Sequence, residues 1–310
     1  MPANATRTDQ PAQTRRPARI RATLIGFTAV LMWGALALFT DLSGTVPPFQ
    51  MVAMTFAIAF LLMAAKWTWT GERWTRHLRH PPAVWLLGVG GLFGYHACYF
   101  VALRLAPAAE ASLIAYLWPL LIVVLSGLLP GERLRAAHIL GALMGLAGTA
   151  TLIARAGLAF DPAAVPGYLA AAACALIWST YSVGSRRFGD VPTDAVGWFC
   201  AATAVLGLAC HLAFETTVWP AGAVEWAAVA ALGLGPVGLA FFAWDIGMKR
   251  GDVRLLGVAS YAAPVISTLL LVGFGRAEPS WRLAVACALV AGGALTATFG
   301  ARITSRRARA

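Results

Sequence analysis

Between Gly94 and Pro119 the chain places Tyr95, His96, Tyr99, Tyr116 and Trp118 inside segments that are otherwise apolar. Phenol and indole rings stack on flat or apolar solutes, and an imidazole or hydroxyl bonds their polar ends, so this is the chemistry of a small-molecule binding wall. Tyr99 lies three and four residues beyond His96 and Tyr95, which puts all three on one helical face. Gly90 and Gly94, four apart, would let a neighbouring backbone approach closely. Polar groups at such depth need partners that hydrocarbon cannot supply, which makes them candidates for function. Pro119 has no amide hydrogen, so it should free the carbonyl of Ala115 and kink its helix. Tyr116 and Trp118 are two apart, so on a regular helix only one of them can face a given cavity unless Pro119 loosens the turn.

The feature recurs. A shift of 145 residues carries Tyr116 to Tyr261, Pro119 to Pro264 and Trp33 to Trp178, and aligns Gly44 with Gly189, Pro47 with Pro192, Gly90 with Gly235 and Gly148 with Gly293. Trp33 and Trp178 fall mid-segment, away from the interfacial positions that tryptophan favours, and Tyr181 follows Trp178 by three. Trp33, Trp178, Tyr181 and Tyr261 therefore join the candidate substrate-binding rings. Tyr95 and His96 map onto Ala240 and Phe241, so His96 has no counterpart. The shared Tyr-Pro element is the candidate moving part, with Gly94, Pro119 and Pro264 as hinge or kink positions. The unshared His96 face is the candidate for choosing the substrate.

The elements that must hold these residues follow from composition. Of 310 residues 59% are hydrophobic and 12% charged, with a mean hydropathy of +0.72, whereas a soluble domain carries about 25% charged residues. Ten runs are long and apolar enough to cross a bilayer: 22–40, 49–67, 84–105, 108–129, 136–154, 167–184, 195–214, 224–248, 255–274 and 281–301. The first follows a basic segment but is too long for a signal peptide and reads as an uncleaved span. All basic residues except Arg104, Arg155, Arg276 and Arg282 fall on one side of this alternation. That places both termini in the cytoplasm. The same clustering in short loops reads the net charge of +11 as a topology marker, not a nucleic-acid surface. The expected organisation is a disordered tail (1–21), a five-helix repeat (22–154), a connecting loop (155–166), a second five-helix repeat (167–301) and a basic tail (302–310). Because five is odd, the second repeat is inserted upside down, the arrangement of transporters whose substrate site lies between inverted halves.

What is missing narrows the chemistry. Asp245 is the one carboxylate within a span, and its spacing of four from Lys249 predicts a structural ion pair, not a proton carrier. With no mid-membrane counter-ion, the substrate is expected to be neutral or zwitterionic. The five cysteines lie in apolar runs without Cys-x-x-Cys spacing, and no metal site, cofactor loop or catalytic constellation is present in the sequence. No protein partner is evident. Trp67, Trp69, Trp74, Trp85, Trp219, Trp226 and Trp281 stand at span ends as interface anchors.

Trp33-Gly34, Val46-Pro47-Pro48-Phe49, Gly94-Tyr95, Tyr99-Phe100-x-Ala102-Leu103, Ala106-Pro107-Ala108, Tyr116-x-x-Pro119 and Gly131-Glu132-Arg133-Leu134 resemble the EamA-type transporters of the drug/metabolite transporter superfamily, over 22–301. The corresponding second-half loop, Gly275-Arg276-Ala277-Glu278-Pro279, is degenerate. The ring content with His96 is most similar to bacterial aromatic amino acid exporters. The resemblance implies ten helices packed as a basket around a central cavity in the bacterial inner membrane. It also implies export of phenylalanine, tyrosine, tryptophan or similar zwitterions by alternating access. Other amino acids, purine metabolites or lipophilic drugs are the alternative cargo; a membrane-embedded enzyme or complex subunit is the alternative class.

Overall fold

A computed structural model describes residues 12–154 and 161–300, and among these the regular structure is entirely helical. Ten helices are long and apolar enough to span a membrane. They are α1 (Arg16–Leu42), α2 (Pro48–Thr70), α3 (Pro82–Leu105), α4 (Ala108–Ser126), α5 (Ala136–Ile153), α6 (Pro162–Phe188), α7 (Ala195–Phe214), α8 (Ala223–Arg250), α9 (Val253–Gly273) and α10 (Trp281–Phe299). Each coincides with one of the ten apolar runs, because in hydrocarbon the only backbone partners are those of the same helix. Proline opens α2 and α3, where its missing amide hydrogen has no intrahelical acceptor to lose.

The disordered tail expected over 1–21 is corrected in its second part. The backbone is helical from Ala12 onward and runs into α1, and this extension carries Arg19 to carboxylates of two distant loops. Residues 1–11, the stretch 155–160 of the connecting loop and the basic tail at 302–310 lie outside the described residues. Pro162–Ala164 forms a tight turn leading into α6, capped by the Asp161 side chain.

The largest contacts pair α2 with α7, α5 with α10, α1 with α8 and α3 with α6, each joining a helix from before residue 154 to one from after residue 161. The α2–α7 pair is tied at both ends. At one, the buried Glu215 carboxylate accepts hydrogen bonds from the backbone N–H of Phe49 (3.0 Å) and Gln50 (3.1 Å) at the start of α2. At the other, Asp194 accepts from Trp67 Nε1 at 3.0 Å and pairs with Lys66. Burial pushes the Asp194 carboxyl up, but the Lys66 and Trp67 bonds outweigh it and hold it below the usual carboxylate range.

Interruptions of the helices recur at the 145-residue spacing or within one residue of it. α3 widens into a π-helical turn at Gly90–Gly94 and α8 does so at Gly235–Leu239. α4 breaks between Ala115 and Trp118, and α9 between Ala259 and Ala262. In both, short-range bonds replace helical ones: Leu117 N–H donates to Ile114 O and Tyr261 N–H to Val258 O. The breaks thus precede Pro119 and Pro264, which sit in the first turn of the resuming helix, where a missing donor is tolerated. The loops after α4 and α9 share a further device: Gly131 (φ 79°) and Gly275 (φ 69°) both take the left-handed conformation that a side chain disfavours. The loop that looked degenerate in sequence keeps this turn.

At the α5–α10 contact two backbones meet. A Cβ on Gly141 would lie 2.5 Å from the carbonyl oxygen of Gly293, whereas one on Gly90, at a helical φ of −59°, meets nothing within 4 Å. Gly141→Ala is therefore expected to destabilise the protein by about 1–3 kcal/mol and Gly90→Ala to be near neutral. Thermal unfolding of the two variants in detergent checks the contrast.

Candidate functional site

The broken α4 decides how its rings are displayed. With Tyr116 and Leu117 out of regular helix, both Tyr116 and Trp118 line one cavity of about 680 Å³, together with Trp33, Tyr95, His96, Tyr99 and Trp178. Both can face it because the turn before Pro119 is loosened, the exception to a spacing rule that holds for an uninterrupted helix. The cavity runs from Trp33 and Trp178 to Ser43, Gly44 and Val46 in the α1–α2 connection.

Its inner end is a layer of rings. Trp33 contacts Trp118 (6.1 Å between centroids), Trp178 (5.6 Å) and Trp244 (5.0 Å), all tilted or edge-on, the arrangement that ring quadrupoles favour. The Trp33 N–H donates to the Pro236 carbonyl in the π-turn of α8 at 3.0 Å, and the Trp244 N–H to Ser182 Oγ at 3.0 Å, so neither buried donor is left unpaired. On the α3 wall Tyr95 and Tyr99 lie parallel at 6.1 Å, and Tyr99 shares a hydrogen bond with the Ser112 hydroxyl at 3.1 Å.

His96 Nδ1 lies 2.7 Å from the Leu92 carbonyl. A carbonyl can only accept, so Nδ1 carries the proton and, in the neutral ring, Nε2 is left as an acceptor. The imidazole stands edge-on to Phe56 at 5.2 Å, while Phe241, its register counterpart, stacks on Phe56 at 5.5 Å. The two non-equivalent residues thus converge on one ring. Among the described residues, the cavity lining contains no Asp, Glu, Lys or Arg.

Tyr181 and Tyr261 are corrected, because neither reaches the cavity. Tyr181 packs where a Cβ on Gly91 would lie 2.5 Å from its ring, inside the π-turn of α3, and Tyr261 packs as closely against Gly145 of α5, at 2.4 Å. Both are buried. Their backbones occupy the expected faces, but the glycines opposite admit the rings between helices. The close backbone approach assigned to Gly90 and Gly94 is corrected: a Cβ on Gly90 meets nothing within 4 Å, one on Gly94 makes only an ordinary 3.5 Å contact with the Ile177 side chain, and it is Gly91 that admits a neighbour, the Tyr181 ring. Of the hinge candidates, Pro264 lines the cavity and Pro119 does not. Asp245 and Lys249 form their pair at 2.9 Å, both buried, with Thr193 donating to Asp245 and Lys249 to the Val191 carbonyl.

Phe56, Phe241 and Trp244 escaped the reading of the sequence. Trp244 is the register partner of Tyr99 and Phe241 that of His96, so the repeat carried a signal for both; a lone phenylalanine such as Phe56 carries none. Among the described residues, Glu72, His77 and Asp194 place ligand atoms close enough for a metal ion. Lys66 already pairs with both carboxylates there, and the His77 bond holds Glu72 below its usual range.

The model of the EamA-like transporter family matches this chain twice, over residues 20–154 and 165–299. The chain belongs to that family. It is a multi-pass membrane protein. It is 63% identical over 286 residues to the aromatic amino acid exporter YddG of Ancylobacter novellus, covering 92% of this chain and 99% of that one. It is 25% identical to the exporter of the same name from Escherichia coli, again over 92% and 99%. The pseudopaline exporter CntI of Pseudomonas aeruginosa is 34% identical over 130 residues, 40% of this chain and 44% of that one. A solved crystal structure superposes with a TM-score of 0.87 at 62% identity, covering 92% of this chain and 99% of its own.

Trp178 touches Trp33, Trp118, Tyr95, Phe241 and Trp244. Trp178→Ala is therefore expected to destabilise the protein by about 3–5 kcal/mol. A thermal melt in detergent that matches the unaltered chain would show that the ring layer does not depend on it.

Proposed function

We propose that this protein exports aromatic amino acids, or zwitterions of similar shape, across the bacterial inner membrane by alternating access through the ring-lined cavity. One observation carries the proposal: a cavity of single-solute size whose walls are rings and hydroxyls, with one imidazole and, among the described residues, no ionised side chain. Rings accept a flat apolar side chain, and a charge-free lining favours a substrate whose own charges cancel. The substrate ammonium donates to His96 Nε2, and the Tyr95, Tyr99 and Tyr116 hydroxyls donate to its carboxylate. Trp33, Trp118 and Trp178 form the platform beneath the side chain. The names of the relatives with long matches point to the same cargo. The role is transport, not catalysis.

The two family matches are read as five-helix repeats of opposite orientation enclosing a central site. The asymmetry of basic residues puts both termini in the cytoplasm. The paired π-turns in α3 and α8 and the paired breaks in α4 and α9 are the places where each half bends as the site changes sides.

Counterflow of labelled phenylalanine into proteoliposomes tests the cargo. Uptake is expected above that of empty vesicles and in competition with unlabelled tyrosine and tryptophan; none would overturn the assignment. His96→Ala is expected to reduce phenylalanine binding about 10-fold, the scale of one hydrogen bond to a charged group, while His96→Gln, which keeps an acceptor, retains more of it. Equal losses in both variants would remove His96 from the site.

A further inference from the structure

Outside the cavity, five charged side chains form one cluster centred on the Glu132 carboxylate. Glu132, whose side chain is 7% exposed, lies 2.7 Å from Arg254 Nη2, 3.2 Å from Arg19 Nη2 and 3.3 Å from Arg186 Nη2. Asp252 adds contacts to Arg19 (3.0 Å) and Arg254 (3.6 Å). Arg186 also donates to the Gly251 carbonyl at 2.9 Å. The participants come from the start of α1, the α4–α5 loop, the end of α6 and the α8–α9 connection, and three of these contacts, Glu132–Arg254, Glu132–Arg186 and Arg19–Asp252, join residues before 154 to residues after 161.

This knot sits at the end of the bundle opposite the α1–α2 connection that the cavity reaches. Arg186 lies eight residues beyond Trp178 on α6, about 12 Å at 1.5 Å per residue. The ring layer with buried Trp244 beneath it, then the knot, therefore close that end in two tiers.

The opposite end holds a reduced version with its charges exchanged. Arg186 corresponds to Asp41 at the 145-residue spacing, and Glu132 and Arg276 each directly follow the left-handed glycine of their loop. Asp41 and Arg276 do pair, at 3.4 Å, but with side chains 47% and 50% exposed and, among the described residues, no third partner in their ion pairs. The positions equivalent to Asp252 and Arg254 are Pro107 and Ala109, which have no charge to contribute. A half-exposed single pair contributes little, whereas a carboxylate desolvated among three guanidiniums is strongly coupled to each. The α2–α7 ties, by contrast, fasten both ends of one helix pair.

We propose that the Glu132 knot is the latch that holds the cavity shut at its own end and open at the Asp41 end, and that it comes apart each time the site changes sides. Asp41–Arg276 is the weaker latch of the reciprocal state. The proposal rests on alternating access. Its strength follows from geometry: opening that end must separate Glu132 from Arg186 and Arg254 together.

The test is the distance between spin labels at Arg133→Cys and Arg187→Cys, both exposed and beside the knot, in the full chain with its five native cysteines replaced, in lipid. The unaltered knot is expected to give a short distance, with a longer one appearing on saturation with phenylalanine. Glu132→Gln should raise the ratio of long to short populations about tenfold, within the range of couplings between linked sites. Asp41→Asn should lower it, an opposite sign that general destabilisation would not produce. Arg254→Gln should act in the direction of Glu132→Gln and serves where the latter fails to fold. A Glu132→Gln or Arg254→Gln protein that keeps the original distribution and counterflow overturns the latch. If Glu132→Gln releases the short distance but phenylalanine does not change it in the parent, the latch stands and alternating access of that substrate falls.

Discussion

Hydrocarbon supplies no hydrogen-bond partners, and every irregular feature of this chain is arranged around that constraint. Departures from regular helix inside a span must find backbone partners within the protein. The breaks at Tyr116–Leu117 and Ser260–Tyr261 are bridged by short-range backbone bonds and lie beside the ring-lined cavity or packed against α5. The π-turn of α8 lends its Pro236 carbonyl to the Trp33 indole. One departure from helix thus satisfies a side chain that would otherwise be an unpaired donor in the cavity wall.

The same constraint shapes the cavity's chemistry. A wall of charged groups would need counter-ions or water at mid-membrane, whereas rings need neither. The polar capacity is concentrated in hydroxyls and His96, whose Nδ1 proton is committed to the Leu92 carbonyl. Phe56 contacts both His96 and Phe241, so a nearly symmetric frame presents a polar ring on one side and an apolar ring on the other. An amino acid with an aromatic side chain has the matching two-sided character.

Charge is used at the ends instead, and in two ways. Around α2 and α7 it fastens a helix pair at both termini: Glu215 on the first amides of α2, Asp194 on Lys66 and Trp67. Around Glu132 it gathers four separate segments at one end only. The first arrangement suits a unit that moves as one body, the second a contact between bodies.

The ten spans were legible in the sequence because length and apolarity are sufficient conditions for a helix in a bilayer. The 145-residue register was legible because Tyr-Pro, Trp and Gly positions return at one spacing, and the π-turns at Gly90–Gly94 and Gly235–Leu239, which the sequence did not announce, fall on the same spacing. Seven of the nine candidate rings reach one cavity, since facing on a helix follows from residue number. Side-chain direction beyond that was decided by tertiary structure. Tyr181 and Tyr261 turn into gaps left by Gly91 and Gly145, residues far away in the chain whose missing side chains no local pattern announces. Tyr116 and Trp118 share a cavity only because the helix between them is interrupted. Phe56 acquires its place from neighbours on other helices, and Glu132 gathers three arginines from segments up to 122 residues apart in sequence. Periodicity fixes which face a residue takes on its own helix; what stands opposite that face is set by packing.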